Sequence, residues 1–204
     1  MRTRKPLHLE PLVLRGGYLQ LEPLAATHTD ELCAAGADPA IWAWYPRPAD
    51  TADGMRAFVE QGLAMQHGGQ ALVFVQRRLA DRAVMGSTRL VITSAPDYRA
   101  EIGWTWLNPS HQRSAANTEA KYLLLRHAFE TLDLLRVEFK TDALNQASRR
   151  ALARIGAQEE GTHRSHMITA TGRIRDSVYF SIVDSDWPRV RQGLERKLAA
   201  PPPA

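Results

Sequence analysis

Apolar residues recur along the chain at a spacing of two in some segments and near 3.6 in others, which predicts a mixed α/β chain. Leu12-Val13-Leu14 and Leu19-Gln20-Leu21 flank Arg15-Gly16-Gly17-Tyr18 and read as a strand pair around a Gly-Gly turn. Thr27 opens a short helix, with Asp30 as its capping-box partner. Met55, Phe58, Val59 and Leu63 fall at helical spacing and predict a second helix over 51–67. Strands follow at about 70–76 and 84–91, joined through Leu79-Ala80-Asp81-Arg82, and another runs from Ala100 to Leu107, stopping at Asn108-Pro109. A helix over about 118–132 carries Tyr122, Leu125, Phe129 and Leu132 on one stripe, with Glu119, Arg126 and Glu130 on the polar face. Arg136 to Thr141 reads as a strand. Asn145 then begins a helix that turns Ser148, Ala151, Leu152 and Ile155 inward and ends at Gly156. Segments 157–169 and 173–183 form a long hairpin turning at Thr171-Gly172, and a helix from Trp187 to Leu198 follows.

A chain of 204 residues with 44% hydrophobic and 24% charged positions suits one compact domain with a real core. The longest aliphatic or aromatic run, Ala71-Leu72-Val73-Phe74-Val75, is far below the ~20 residues of a membrane span. Met1-Arg2-Thr3-Arg4-Lys5-Pro6 is basic but leads into no apolar segment, so no signal peptide and no membrane partner are expected. Cys33 is the single cysteine, which excludes an internal disulfide and fits a reducing, cytoplasmic setting. The net charge of +4 is small and dispersed, with no basic stripe interleaved with aromatics, so no nucleic-acid binding is expected. Seven histidines raise the question of a metal. His163 and His166, three apart on a predicted strand, should face opposite sides, and no metal site is expected.

Residues 100–132 place a loop and a helix start after a strand, the local geometry that presents free amides to an anion. Arg113 adds a cation, and Ser114, Asn117 and Thr118 add side-chain donors; from this segment alone an ordinary loop with a polar helix cap is the favoured reading. A second segment follows directly: strand Arg136-Val137-Glu138-Phe139-Lys140-Thr141, then Asp142-Ala143-Leu144-Asn145, then a helix ending in Arg154-Ile155-Gly156-Ala157.

With these two segments the chain resembles the GCN5-related N-acetyltransferase (GNAT) superfamily, in its ribosomal-protein alanine and serine (RimJ/RimL-like) branch. Gln112-Arg113-Ser114-Ala115-Ala116-Asn117, followed by Thr118, is similar to the superfamily's acetyl-CoA loop. Asn145-x-x-Ser148 and the hairpin after Glu160-Gly161-Thr162-His163-Arg164 match in order and spacing. The resemblance covers about residues 10–185 as the N-acetyltransferase domain, leaving 186–204 as a C-terminal helix and proline-rich tail. It implies a single-domain α/β fold with a mixed, strongly twisted sheet of about seven strands and helices on both faces. Ala115 and Asn117 depart from the family, which has glycine or a small residue there; Ala115 is tolerable at negative φ, and Asn117 could cap the helix. Leu152 stands where many members carry a tyrosine that protonates the leaving thiolate.

The resemblance implies acetyl-CoA as donor, with its pantetheine arm along the backbone of Trp106 and Leu107 and its pyrophosphate at residues 113–118. Asn145 would cap its helix and touch the same arm, while Arg149 and Arg150 are either phosphate ligands or solvated surface. Ser148 takes the place of the missing acid, and Glu101 is either the base or a solvated strand-end carboxylate. Trp42, Trp44, Tyr45 and Trp104 are core residues by default and candidates for the wall of an acceptor site. The implied acceptor is a primary amine, foremost the N-terminal α-amine of a protein, ribosomal proteins included. A small amine (amino acid, polyamine or aminoglycoside) and a catalytically inactive CoA-binding protein are the alternatives. A monomer or a homodimer is expected.

Overall fold

The computed structural model describes residues 6–200. The proline tail and the basic residues 1–5 lie outside that range. Eight strands form one sheet in the order β1-β2-β3-β4-β5-β6-β8-β7. They are β1 (Leu14–Arg15), β2 (Leu19–Pro23), β3 (Ala71–Arg78), β4 (Val84–Ser94), β5 (Arg99–Leu107), β6 (Arg136–Asp142), β7 (Gln158–Ile168) and β8 (Ile174–Val183). The sheet has eight strands where about seven were expected, and β1 and β2 are the strand pair read around Gly16-Gly17. Every neighbouring pair is antiparallel except β5 and β6.

Alternation along β3 shows how the sheet is covered. Ala71, Val73 and Val75 face one apolar cluster, with α1 (Thr29–Ala35) and α2 (Ala52–His67), while Leu72 and Phe74 face the other. The second cluster holds Leu123 and Leu124 of α3 (Ala116–Arg126), Leu152 of α4 (Gln146–Arg154) and Val190 of α5 (Trp187–Ala199).

Three local expectations change. The first helix is entered through a 3₁₀ turn over Ala26–His28, and the His28 Nδ1 accepts from the Ala25 amide at 3.0 Å, so Thr27 does not cap it. The helix expected over 118–132 starts at Ala116 and gives way at His127–Thr131 to a wider π turn. Glu119, assigned to its polar face, is buried beneath the β1–β2 turn. It accepts the amides of Gly17, Tyr18 and Leu19 at 2.8, 2.9 and 2.7 Å. A buried carboxylate is tolerable when its lone pairs meet several N–H groups, and here they do.

One feature of the sheet positions the site. β5 and β6 pair only at Arg99, Ala100 and Glu101 with Arg136, Val137 and Glu138, and beyond these the ladder stops. β5 carries an extra residue there: Gly103 pairs with Arg89 but Trp106 with Ser87. Trp104, in that bulge, has φ +49°, a conformation rare for a bulky residue. Gly86 of β4 permits the close approach, since a Cβ on it would lie 2.0 Å from the Trp106 carbonyl oxygen.

Candidate active site

The end of the β5–β6 ladder leaves a gap in the middle of the sheet, and the loop from Asn108 leads from its rim to α3. Asn108 ties this loop down: its Nδ2 donates to the Ala35 carbonyl at 2.9 Å, and its Oδ1 accepts from the Ser110 amide at 3.0 Å. Gln112 Nε2 donates back to the Leu107 carbonyl at 3.1 Å. Arg113 adopts φ +58° and exposes its side chain. Ala115 has φ −66°, the negative value its Cβ needs. Asn117 does not cap the helix. Ser114 supplies that contact, accepting from the Ala116 amide at 3.2 Å while donating to the His111 carbonyl at 2.6 Å.

The first backbone bond into the helix runs from the Glu119 amide to the Ala115 carbonyl at 2.9 Å, so the amides of Asn117 and Thr118 precede the ladder and point out of its end. Arg154 of α4 reaches this point and donates to Thr118 Oγ1 at 3.1 Å. Sequence reading singled out Arg149 and Arg150 instead. Arg149 is held by Glu159 at 3.1 Å, and only the folding of α4 against α3 shows that Arg154 is the arginine beside the loop.

Asn145 caps α4, its Oδ1 accepting from the Ser148 amide at 3.0 Å. Ser148 is half-buried, and among the described residues its hydroxyl makes no bond to the preceding turn. Leu152 is buried in the core one turn on.

On the α1–α2 face, the base candidate Glu101 is 7% exposed and paired with Lys140 Nζ at 2.9 Å. It is therefore not a solvated strand end. Lys140 also stands 5.7 Å above the Trp104 ring. Trp42 and Trp106 are both 3% exposed and pack at 5.3 Å centroid separation, so the aromatic loop contributes to the core through Trp42. Trp44 is exposed, and Tyr45 stacks edge-on against Trp42 at 5.0 Å. His163 and His166 do not face opposite sides: a register shift with Ser165 at φ +50° brings both rings against Tyr179. Burial and the nearby charges of Lys140, His163 and Arg175 lower the His166 pKa.

A family model described as an acetyltransferase (GNAT) domain matches residues 18–158, which span the loop, the gap and Asn145-x-x-Ser148. The chain belongs to the GNAT acetyltransferase family. Members take acetyl-CoA as donor and an amine as acceptor. A Bacillus subtilis protein named "Putative ribosomal N-acetyltransferase YdaF" is 32% identical over 109 residues, covering 53% of this chain and 58% of that relative. This chain thus spans a little over half of that relative's length. The crystal structure of a GCN5-related N-acetyltransferase from Brucella melitensis superposes with a TM-score of 0.86 at 31% identity, over 94% of this chain and 87% of that one. The ribosomal-protein-S5-alanine acetyltransferase from Vibrio fischeri shares the fold at a TM-score of 0.72 and 18% identity, over 86% and 98% of the two chains. Among the described residues, no helix of this GNAT protein is long and apolar enough to cross a membrane, and no group of three or more His, Cys, Asp or Glu could hold a metal ion.

Proposed function

We propose that this protein transfers the acetyl group of acetyl-CoA to a primary amine, foremost the N-terminal α-amine of a protein. The observation that carries the reading is the interrupted β5–β6 ladder with the free amides of α3 beside it. Backbone groups of Trp106 and Leu107 are the strand surface for the pantetheine arm, an added half-strand held by main-chain bonds. Gln112 to Thr118 form the anion site, in which the amides of Asn117 and Thr118 and the cations Arg113 and Arg154 suit a pyrophosphate. Asn145 and Ser148 border the same gap from α4.

The chemistry follows from charge. The neutral amine attacks the thioester carbonyl, and main-chain N–H groups near Trp106 stabilise the oxygen as it becomes negative. Glu101, or a water it orients, takes the amine proton, with Lys140 holding the carboxylate in place at 2.9 Å. A weak base suits an α-amine, whose pKa near ~8 leaves roughly a tenth neutral at pH 7, far more than a lysine. Ser148 donates a hydrogen bond to the departing sulfur. The ribosomal name of the B. subtilis relative supports a protein N-terminus as acceptor.

Release of free CoA, measured over a panel of N-terminal peptides, free amino acids, polyamines and aminoglycosides, tests this. Peptides with free α-amines should be turned over fastest. Turnover of small amines alone would replace the acceptor, and binding of acetyl-CoA with no turnover of any amine would leave a CoA-binding protein.

A further inference from the structure

Lys121 of α3 is a buried charged group with no part in the chemistry proposed so far. It is 4% exposed, and among the described residues its one hydrogen-bond partner is Thr105 Oγ1, at 2.6 Å. Thr105 in turn meets Thr88 Oγ1 at 2.8 Å. The ammonium also stands 6.0 Å from the centre of the Phe139 ring. Thr105 lies on β5 beyond the last ladder pair, and Phe139 is the first residue of β6 beyond it. The side chain of Lys121 therefore rises from α3 into the mouth of the gap between the two diverging strands.

A buried ammonium without a paired carboxylate is costly, because burial removes its hydration and one hydroxyl restores little of it. Among the described residues no carboxylate lies within ion-pair distance of Lys121 Nζ; Glu101 on β5 is the charged group that bears on it, from farther away. Burial outweighs that attraction and lowers the pKa of Lys121 to about 7. The group is thus a proton donor of near-neutral strength, placed where an anion would relieve its isolation.

We propose that Lys121 is the acid of the reaction, delivering its proton to the CoA sulfur as the carbon–sulfur bond breaks. This rests on the acetyl-transfer reading. It fills the role left open by Leu152, an alkyl side chain at the position where many superfamily members carry a tyrosine acid. A CoA thiol resembles a free cysteine, with pKa near ~8.5. A serine hydroxyl is a far weaker acid than a thiol, so Ser148 can hydrogen-bond a thiolate but cannot protonate it downhill. Lys121 can. In the balanced step the amine nitrogen forms its bond to the carbonyl carbon and loses a proton to Glu101 or water. The carbon–sulfur bond then breaks with its electron pair on sulfur, and sulfur takes the Lys121 proton to leave as the thiol. Solvent reprotonates Lys121, so the net reaction is amine plus thioester to amide plus thiol.

The test uses the full chain with free CoA and desulfo-CoA, the latter lacking only the thiol, in equilibrium binding from pH 6 to pH 9. In the wild type, the affinity of CoA relative to desulfo-CoA should rise about tenfold between pH 6 and pH 8, as a thiolate–ammonium pair forms. Thiolate absorbance of bound CoA should appear at least one pH unit lower than in free CoA. In Lys121→Met both effects should vanish, desulfo-CoA should bind as before, and turnover should fall roughly 100-fold. A wild-type ratio that stays flat with pH overturns the proposal without any variant. So does Lys121→Met that keeps wild-type turnover. Failure of the wild type to bind either compound would instead sink the acetyl-CoA reading itself, a separate result.

Discussion

The Glu101 carboxylate and the Lys140 ammonium lie 2.9 Å apart where the β5–β6 ladder ends, with the ammonium 5.7 Å from the centre of the Trp104 ring. The pair is a consequence of parallel pairing. Glu101 stands opposite Glu138, and Lys140, two residues further along β6, shares its face of the sheet. It fixes the orientation of the candidate base, since the carboxylate oxygen facing Lys140 is committed to the ammonium.

Glu101→Gln should lower turnover by roughly 10–100-fold while leaving acetyl-CoA affinity nearly unchanged, because the amide can neither accept the amine proton nor hold a basic water as strongly. The pH–rate profile is the decisive measurement. An acidic limb that persists unshifted in the variant belongs to the acceptor amine, and Glu101 is then a partner of Lys140 only.

Glu119 and Gly16 define a second coupled pair, this one structural. A Cβ on Gly16 would lie 2.3 Å from the Glu119 Cδ, so the carboxylate reaches the three turn amides only because position 16 has no side chain. Glu119→Ala should cost about 2–4 kcal/mol, since it leaves the buried Leu19 amide and the part-buried amides of Gly17 and Tyr18 without their partner. Gly16→Ala should destabilise by a similar amount through the clash. Chemical denaturation of both variants checks this, and a loss below ~1 kcal/mol in Glu119→Ala would mean that water replaces the carboxylate.

The arginines around the anion loop separate by their partners. Arg113 is exposed on the loop and Arg154 touches Thr118, whereas Arg149 is already committed to Glu159. Reversing charge at Arg113 or Arg154 to Glu should weaken acetyl-CoA binding by at least about tenfold, near 1.4 kcal/mol, and Arg149→Glu should change it little. Calorimetric titration gives the ranking. Equal losses at Arg149 and Arg154 would place the phosphates further along α4 than the loop suggests.

Periodicity exposed most of the frame. The alternation of Ala71, Val73 and Val75 with Leu72 and Phe74, the spacing of Met55, Phe58 and Val59, and the turn at Thr171-Gly172 each mark one element without reference to any other. The gap between β5 and β6 was legible only through the resemblance of the loop and of Asn145-x-x-Ser148, because a bulge at Trp104 leaves no periodic trace. Glu119 and Lys121 fell outside what a helical wheel can see. Each is a charged residue on a solvent-like position of the pattern, yet one is buried by three amides and the other by the gap it enters. Arg154 shows the same limit, since its role depends on which helix α4 meets. His163 and His166 show it for strands, where one bulge reverses the rule that residues three apart face opposite sides.

Lys121 also makes a prediction about stability. Unfolded, it keeps its proton up to about 10.5; folded, it gives it up near 7. Between those values the unfolded chain binds more protons, so folding stability rises with pH, with a slope approaching ~1.4 kcal/mol per pH unit for one proton. Below about 7 both states are protonated and the full cost of the buried charge is present. Lys121→Met should abolish this slope and raise the melting temperature at pH 6 relative to the wild type. Denaturation curves from pH 6 to pH 10 check it, and an equal slope in both proteins would mean that Lys121 stays charged through that range.

Ser148 tests whether the sulfur is held from α4 as well as from α3. Its amide is committed to the Asn145 cap, but its hydroxyl makes no bond back to the preceding turn among the described residues, which frees it to face a ligand. A hydrogen bond to sulfur strengthens as charge builds there, so it acts on the transition state more than on the bound thioester. Ser148→Ala should therefore lower kcat by roughly 10–100-fold, about 1.4–2.7 kcal/mol, with little change in acetyl-CoA affinity or melting temperature. Ser148→Thr keeps the hydroxyl and should recover part of the loss, which a purely steric role would not allow. If Ser148→Ala turns over at the wild-type rate, the sulfur departs without help from α4, and the burden of stabilising it falls on the α3 side of the gap alone.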